Sequence, residues 1–210
     1  MTWEVLSIIG TIAFAASGAF VAMEEEYDIL GVFILGIVTA FGGGAIRNLL
    51  IGVPVSALWD QGLYFSVALV SITIIFLFPY KLLRHWQRWG NFFDALGLSA
   101  FAIQGALYAT KMGHPISAVI VAAILTGAGG GIIRDLLAKR KPLVLKEEIY
   151  GLWAILAGLF IGLDIAKSSL ELYLLFFIIA GLRILSYTFD WKLPIRSMAR
   201  EKKLQGMANR

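Results

Sequence analysis

Residues 39–50 read TAFGGGAIRNLL, an apolar helical run in which Gly42, Gly43 and Gly44 are followed within one turn by Arg47 and Asn48. The stretch occurs twice. Residues 126–137 read TGAGGGIIRDLL, so Thr39 pairs with Thr126, the three glycines with Gly129, Gly130 and Gly131, Arg47 with Arg134, and Asn48 with Asp135, each 87 positions on. The same offset aligns FAASGA at 14–19 with FAIQGA at 101–106 without a gap and sets Ser17 opposite Gln104. Function is expected where the two copies meet.

The surrounding chain decides what solvent this repeat lives in. Its 210 residues are 59% hydrophobic and 15% charged, with a mean hydropathy of +0.81, far outside soluble composition. The apolar runs suit helices of about 20 residues, not the roughly 10-residue alternating strands of a barrel. The fold class is therefore an all-α membrane protein. Without cysteine there is no disulfide and no thiolate metal site, and His85 and His114 fall in predicted loops, which argues against a histidine site. No metal, cofactor or catalytic residue is expected. The N-terminus carries Glu4 and no basic n-region, so it reads as a retained span and not a signal peptide. A pI near 9.4 raises nucleic acid as a partner, but the basic residues flank apolar spans, where topology signals belong.

Seven spans can be drawn, over 3–22, 29–50, 62–79, 92–110, 116–137, 149–166 and 170–189, joined by short polar connections. Together they form one transmembrane domain, 1–190, followed by a basic tail, 191–210, expected in the cytoplasm at the membrane surface. With seven spans, thirteen of the 18 Lys and Arg residues fall on one side, only Lys111 and Lys167 fall on the other, and Arg47, Arg134 and Arg183 lie within spans. The positive-inside rule then puts the N-terminus outside, the C-terminus in the cytoplasm, and the protein in the cell membrane. Spans one to three (3–80) correspond to spans four to six (92–166). Three is odd, so the second copy enters from the opposite face, a 3+3 inverted-topology repeat with helix 170–189 left over.

Each interior glycine costs a helix about 1 kcal/mol relative to alanine. Three together predict a weak point, and a broken helix at membrane depth belongs against a watery cavity, where its carbonyls can meet a cation. The alternative is close helix packing. Against it stands the 100° turn per residue, which spreads three glycines over about 200° and off any single contact face. Arg47 and Arg134 should face the bundle or snorkel to opposite surfaces, as gating charges or as structural pairs, Arg134 beside Asp135. Thr39 and Thr126 either offer hydroxyls to a pathway or bond back to their own helices. Asp94, near the start of span four, either draws cations to a mouth or answers the helix dipole. Arg183 has no repeat partner and could hold a carbonyl or a lipid head group. No Ser/His/Asp, HExxH or phosphate-loop pattern occurs in a fitting context, which argues against an enzyme.

The paired motifs SGA…GGGAIRNLL and QGA…GGGIIRDLL, the two three-span units and the seventh span resemble the prokaryotic trimeric intracellular cation (TRIC) channel family, also called UPF0126 or the glycine-transporter-domain family. The likeness covers roughly residues 3–189. It implies a homotrimer with a pore in each protomer, helices two and five kinked at Gly42–Gly44 and Gly129–Gly131, and permeation by potassium and sodium. Asp94, Asn48 and Asp135 join the two arginines as candidate pore charges, with membrane lipids as the other partners. The lysine-rich lipid-binding motif of the animal members is not evident, so phosphoinositide regulation is not carried over. Two other readings stand beside a cation channel: a secondary transporter of a small amino acid such as glycine, and a scaffold whose glycines only pack.

Overall fold

The computed structural model of the chain describes residues 2–77, 86–146 and 149–194. Each expected span is a helix: α1 (Thr2–Glu24), α2 (Ile29–Ile51), α3 (Gly62–Leu77), α4 (Trp86–Lys111), α5 (Ile116–Leu137), α6 (Tyr150–Gly162) and α7 (Ser169–Thr188). Five of them are long and apolar enough to cross a membrane, while α3 and α6 are shorter apolar helices. Helix α4 begins six residues before the expected span, in WQRWGN, and α6 stops four residues short of the expected end, where Asp164 takes a left-handed φ of 61°. Residues 78–85 and the tail from 195 onward, which carry much of the expected basic bias, lie outside the described residues.

The helix ends follow from local chemistry. Asp28 caps α2 by accepting from Gly31 N at 2.8 Å. Ser168 and Glu171 form a reciprocal capping box on α7. Helix exits repeat with the same offset as the sequence. Glu26 (φ 57°) matches Gly113 (φ 74°), and Gly52 (φ 77°) matches Lys139 (φ 57°). Each pair carries the same closing bond: Tyr27 N to Ala22 O at 2.9 Å and His114 N to Ala109 O at 3.1 Å, then Val53 N to Asn48 O at 2.9 Å and Arg140 N to Asp135 O at 2.7 Å. The duplication is therefore written in the backbone as well as in the side chains.

Contacts between connections and helix ends give the sense of the repeat. Tyr27 Oη, between α1 and α2, donates to Leu137 O at the end of α5 (2.8 Å), so α5 ends on the side where α2 begins. His114 Nε2, between α4 and α5, lies 3.0 Å from Ile51 O, so α5 begins where α2 ends. Tyr27 and His114 are themselves 87 positions apart. Helices α2 and α5 are antiparallel, and Trp3 at the start of α1 meets Tyr108 at the end of α4, with ring centroids 5.7 Å apart. The two halves are inverted, as counting spans predicts.

The halves differ in what covers them. Helix α7 packs on α4 and α6: Trp153 Nε1 donates to Ser186 Oγ at 3.2 Å, and Leu172, Leu175, Phe176 and Ile179 join the apolar cluster of Ile103, Ala154, Ala157 and Ile161. The first half has no such helix. Residues at the equivalent positions, Ala16, Ser66, Val67, Val70 and Ile74, instead line an open apolar groove of about 560 Å³ between α1 and α3.

Candidate functional site

Helices α2 and α5 run through their glycines without interruption, so the expected break is not seen. As the angular spread requires, the three glycines of α2 do not share one contact face: each meets a different neighbour. A Cβ on Gly42 would meet Ile133 Cδ1 at 2.6 Å, and one on Gly43 would stand 2.7 Å from Leu125 O and 2.8 Å from Thr126 O. Across the pseudo-two-fold, a Cβ on Gly129 would lie 3.0 Å from Gly43 Cα, and one on Gly130 would collide with Thr39 O. The two helices thus cross backbone to backbone at the middle glycines. The third glycine of each run faces polar ground: a Cβ on Gly44 meets only Arg47 Nη2, at 3.8 Å, and one on Gly131 meets Tyr150 Oη at 3.2 Å and Asp94 Oδ1 at 3.6 Å.

Thr39 and Thr126 turn their hydroxyls back on Leu35 O and Ala122 O, both at 2.6 Å, which is the ordinary fate of a helical threonine. Beside the crossing stand Phe14 and Phe101, again an 87-residue pair, edge to face with centroids 5.2 Å apart.

On either side of this waist lies one arginine. Arg134, 3% exposed, donates through Nε to Asp135 Oδ1 (2.8 Å) and through Nη1 to Ser17 Oγ (2.5 Å) and Asp94 Oδ1 (2.9 Å). Asp135 Oδ2 also accepts from Leu143 N at 3.2 Å. Arg183 of α7 stacks over the Tyr150 ring at 4.5 Å and reaches within 3.9 Å of Asp94 Oδ2. The cluster is closed, and the space beside Gly131, Arg134 and Tyr150 leaves no room for a water molecule. Asp94 is 1% exposed and lies two turns into α4, so it neither stands at an open mouth nor answers the first-turn dipole; it is a buried counter-ion. Arg183 meets an aromatic face and a carboxylate, the Tyr150 ring and Asp94.

Arg47 meets a different environment. It is 4% exposed, gives Nε and Nη2 to the single oxygen Asn48 Oδ1 (3.1 and 2.7 Å), and lies over the Tyr108 ring at 4.6 Å. It lines a cavity of about 130 Å³, with room for several waters, together with Ser7, Thr11, Gly44, Gln104, Thr126 and, from the segment after α2, Leu58 and Gln61. Gln104 Nε2 donates to Ser7 Oγ within the same wall. Ser17 and Gln104, matched in the repeat, thus sit at opposite arginines. Neither arginine snorkels to a surface. Among the described residues no group of three His, Asp or Glu side chains is placed to hold a metal ion.

Inverted halves, a seventh helix and a polar path interrupted at a glycine crossing define a class: a multi-pass α-helical membrane protein of the 3+3 type. The family model described as "Glycine transporter" matches residues 4–80 and 91–163. The chain is 74% identical over 197 residues to the UPF0126 membrane protein YvgT of Bacillus subtilis (strain 168), covering 94% of this chain and 98% of that one. It is 37% identical over 157 residues to the inner membrane protein YadS of Escherichia coli (strain K12), covering 73% and 74%. A prokaryotic TRIC channel crystallised in 0.5 M KCl shares the fold with a TM-score of 0.84 at 33% identity, over 91% of this chain and 98% of that one. The TRIC orthologue of Rhodobacter sphaeroides gives 0.80 at 34%, over 89% and 97%. The chain belongs to the UPF0126 family, the prokaryotic TRIC family, for which "glycine transporter" is an older label.

Proposed function

We propose that the chain is a passive channel for monovalent cations, potassium and sodium, with a pore in each protomer along the α2–α5 crossing. The observation that carries this is the cavity beside Arg47, which runs from the connection after α2 to Phe101 and Thr126. Beyond it, in the other half, stands the Arg134–Asp94–Asp135 cluster. The cavity and the cluster are related by the pseudo-symmetry of the repeat, and the packed Phe14–Phe101 rings beside the glycine crossing support reading the conformation as a closed one. Relatives described as TRIC cation channels support the permeant class. Reconstitution in a planar bilayer under a potassium chloride gradient tests it: unitary steps reversing near the potassium potential are expected, and silence or reversal at the chloride potential overturns it.

A guanidinium in the cavity wall also suits a carboxylate, which keeps a glycine transporter as the second reading. Saturable counterflow of labelled glycine in liposomes, absent from the channel reading, separates the two.

We further propose a homotrimer in the cell membrane with the N-terminus outside. The orientation is supported by the basic bias of one face. The assembly is supported by the groove between α1 and α3, which in the second half is filled by α7; among the described residues no helix fills it in the first half, and a helix of a second copy is the occupant that completes the pattern.

A further inference from the structure

The two arginines occupy matched positions in a duplicated scaffold, yet their counter-charges do not match. Around Arg134 stand Asp135 and Asp94, both hydrogen-bonded to it. At the corresponding positions around Arg47 stand Asn48 and Ser7, both neutral. Among the described residues no carboxylate pairs with Arg47, and no side chain accepts from its Nη1. A buried charge left uncompensated is strongly destabilising, and in proteins such a charge is paired, neutralised or matched by a bound ion. Arginine cannot be neutralised by losing its proton under ordinary conditions. The cation–π contact with Tyr108 offsets only part of the desolvation of a guanidinium.

The cavity supplies the missing element. It lies against Arg47 and is walled by neutral groups able to donate hydrogen bonds, among them Thr11, Gln61, Tyr64, Gln104 and Tyr108. The hydroxyls and amides of the wall can accept as well as donate, so what biases the site towards an anion is the one formal charge in it, the Arg47 guanidinium.

We propose that the cavity beside Arg47 binds one monovalent anion, a halide or the carboxylate of a small molecule, in the place where the other half of the protein has its own aspartates. The site stands on the charge asymmetry alone. Its bearing on permeation rests on the channel reading: with the anion seated, a passing cation no longer faces a bare guanidinium.

The test uses the full chain in nanodiscs of zwitterionic lipid. Thermal unfolding is followed while sodium chloride, or sodium acetate, replaces the sodium salt of HEPES, a bulky sulfonate, at constant ionic strength. The midpoint is expected to rise with the logarithm of anion concentration once that exceeds the dissociation constant, by about 5–10 °C at a hundredfold excess, and the anion whose rise begins at the lower concentration identifies the source. Asn48→Asp installs the Arg134–Asp135 arrangement at Arg47 and is expected to fold with its midpoint no longer dependent on the anion; Arg47→Gln loses the dependence as well. An unchanged wild-type midpoint in all salts, or an equal shift in Asn48→Asp, overturns the proposal. No current is measured in this experiment, so its failure leaves the cation-channel reading standing.

Discussion

Gly43 and Gly130 hold α2 and α5 in backbone contact, each lying against the main chain of the partner helix at the threonine that opens the other's motif. The relation is reciprocal: a Cβ on Gly43 would press on Leu125 O and Thr126 O, and one on Gly130 on Thr39 O. Alanine at either position gains about 1 kcal/mol of helix propensity and then meets carbonyl oxygens that cannot move without shifting a helix. Gly43→Ala and Gly130→Ala should each destabilise by about 1–3 kcal/mol net, read as a lower midpoint of unfolding in detergent. Gly44→Ala, whose new methyl meets nothing closer than 3.8 Å, should match or exceed wild-type stability. Equal losses at all three positions would remove the crossing from the account.

Phe14 and Phe101 close the waist. Replacing either by alanine should cost about 3–5 kcal/mol of packing and, because the new space adjoins the Arg47 cavity, raise basal potassium flux in liposomes severalfold. Flux at or below the wild-type level in protein shown to be folded would move the barrier elsewhere.

Asp94 lies between two guanidiniums, 2.9 Å from Arg134 and 3.9 Å from Arg183. Asp94→Asn removes the carboxylate that two buried guanidiniums share. A loss of about 3–5 kcal/mol follows, with a higher open probability in bilayer recordings as Arg134 is released from Ser17. Asp94→Glu, which keeps the charge, should recover most of the stability. A charge-independent loss, equal in both variants, would make Asp94 a matter of shape only.

The groove between α1 and α3 gives a test of assembly. Val70 is 58% exposed there, and Val70→Trp fills the space meant for a neighbouring helix. Native mass spectrometry should then find single chains of 23.0 kDa where the wild type is expected to give trimers. A trimer unaffected by the substitution would put the interface on another face.

How much of this could be read from the residues divides along a clear line. The 87-residue offset is a property of the chain itself, and it yields the repeat, the inversion and the pairing of Ser17 with Gln104. The same offset also matches Tyr27 to His114, a signal present in the sequence but unread because nothing marks an isolated aromatic as a tie, and the aligned Phe14 and Phe101 give no sign in sequence that their rings meet. What a glycine meets is tertiary. Propensity alone turns GGG into a break, whereas the chain spends the three positions on Ile133, on Gly130 and on the cavity in turn. Asp94 and Arg183 lie far apart in sequence from each other and from Arg134. Their meeting depends on α7 docking against α4, which no periodicity reports.

The unequal neighbours of Arg47 and Arg134 have a consequence for direction. The scaffold is close to symmetric end for end, but one end carries its neutralising charge in covalent form and the other leaves it to solution. An ion approaching from the Arg47 end meets a field set by whatever that compartment contains, and one approaching from the Arg134 end meets a field fixed by the sequence. Such a pathway is a rectifier in principle, and its asymmetry comes from two residues, Asn48 and Ser7, that differ from their counterparts in the other half.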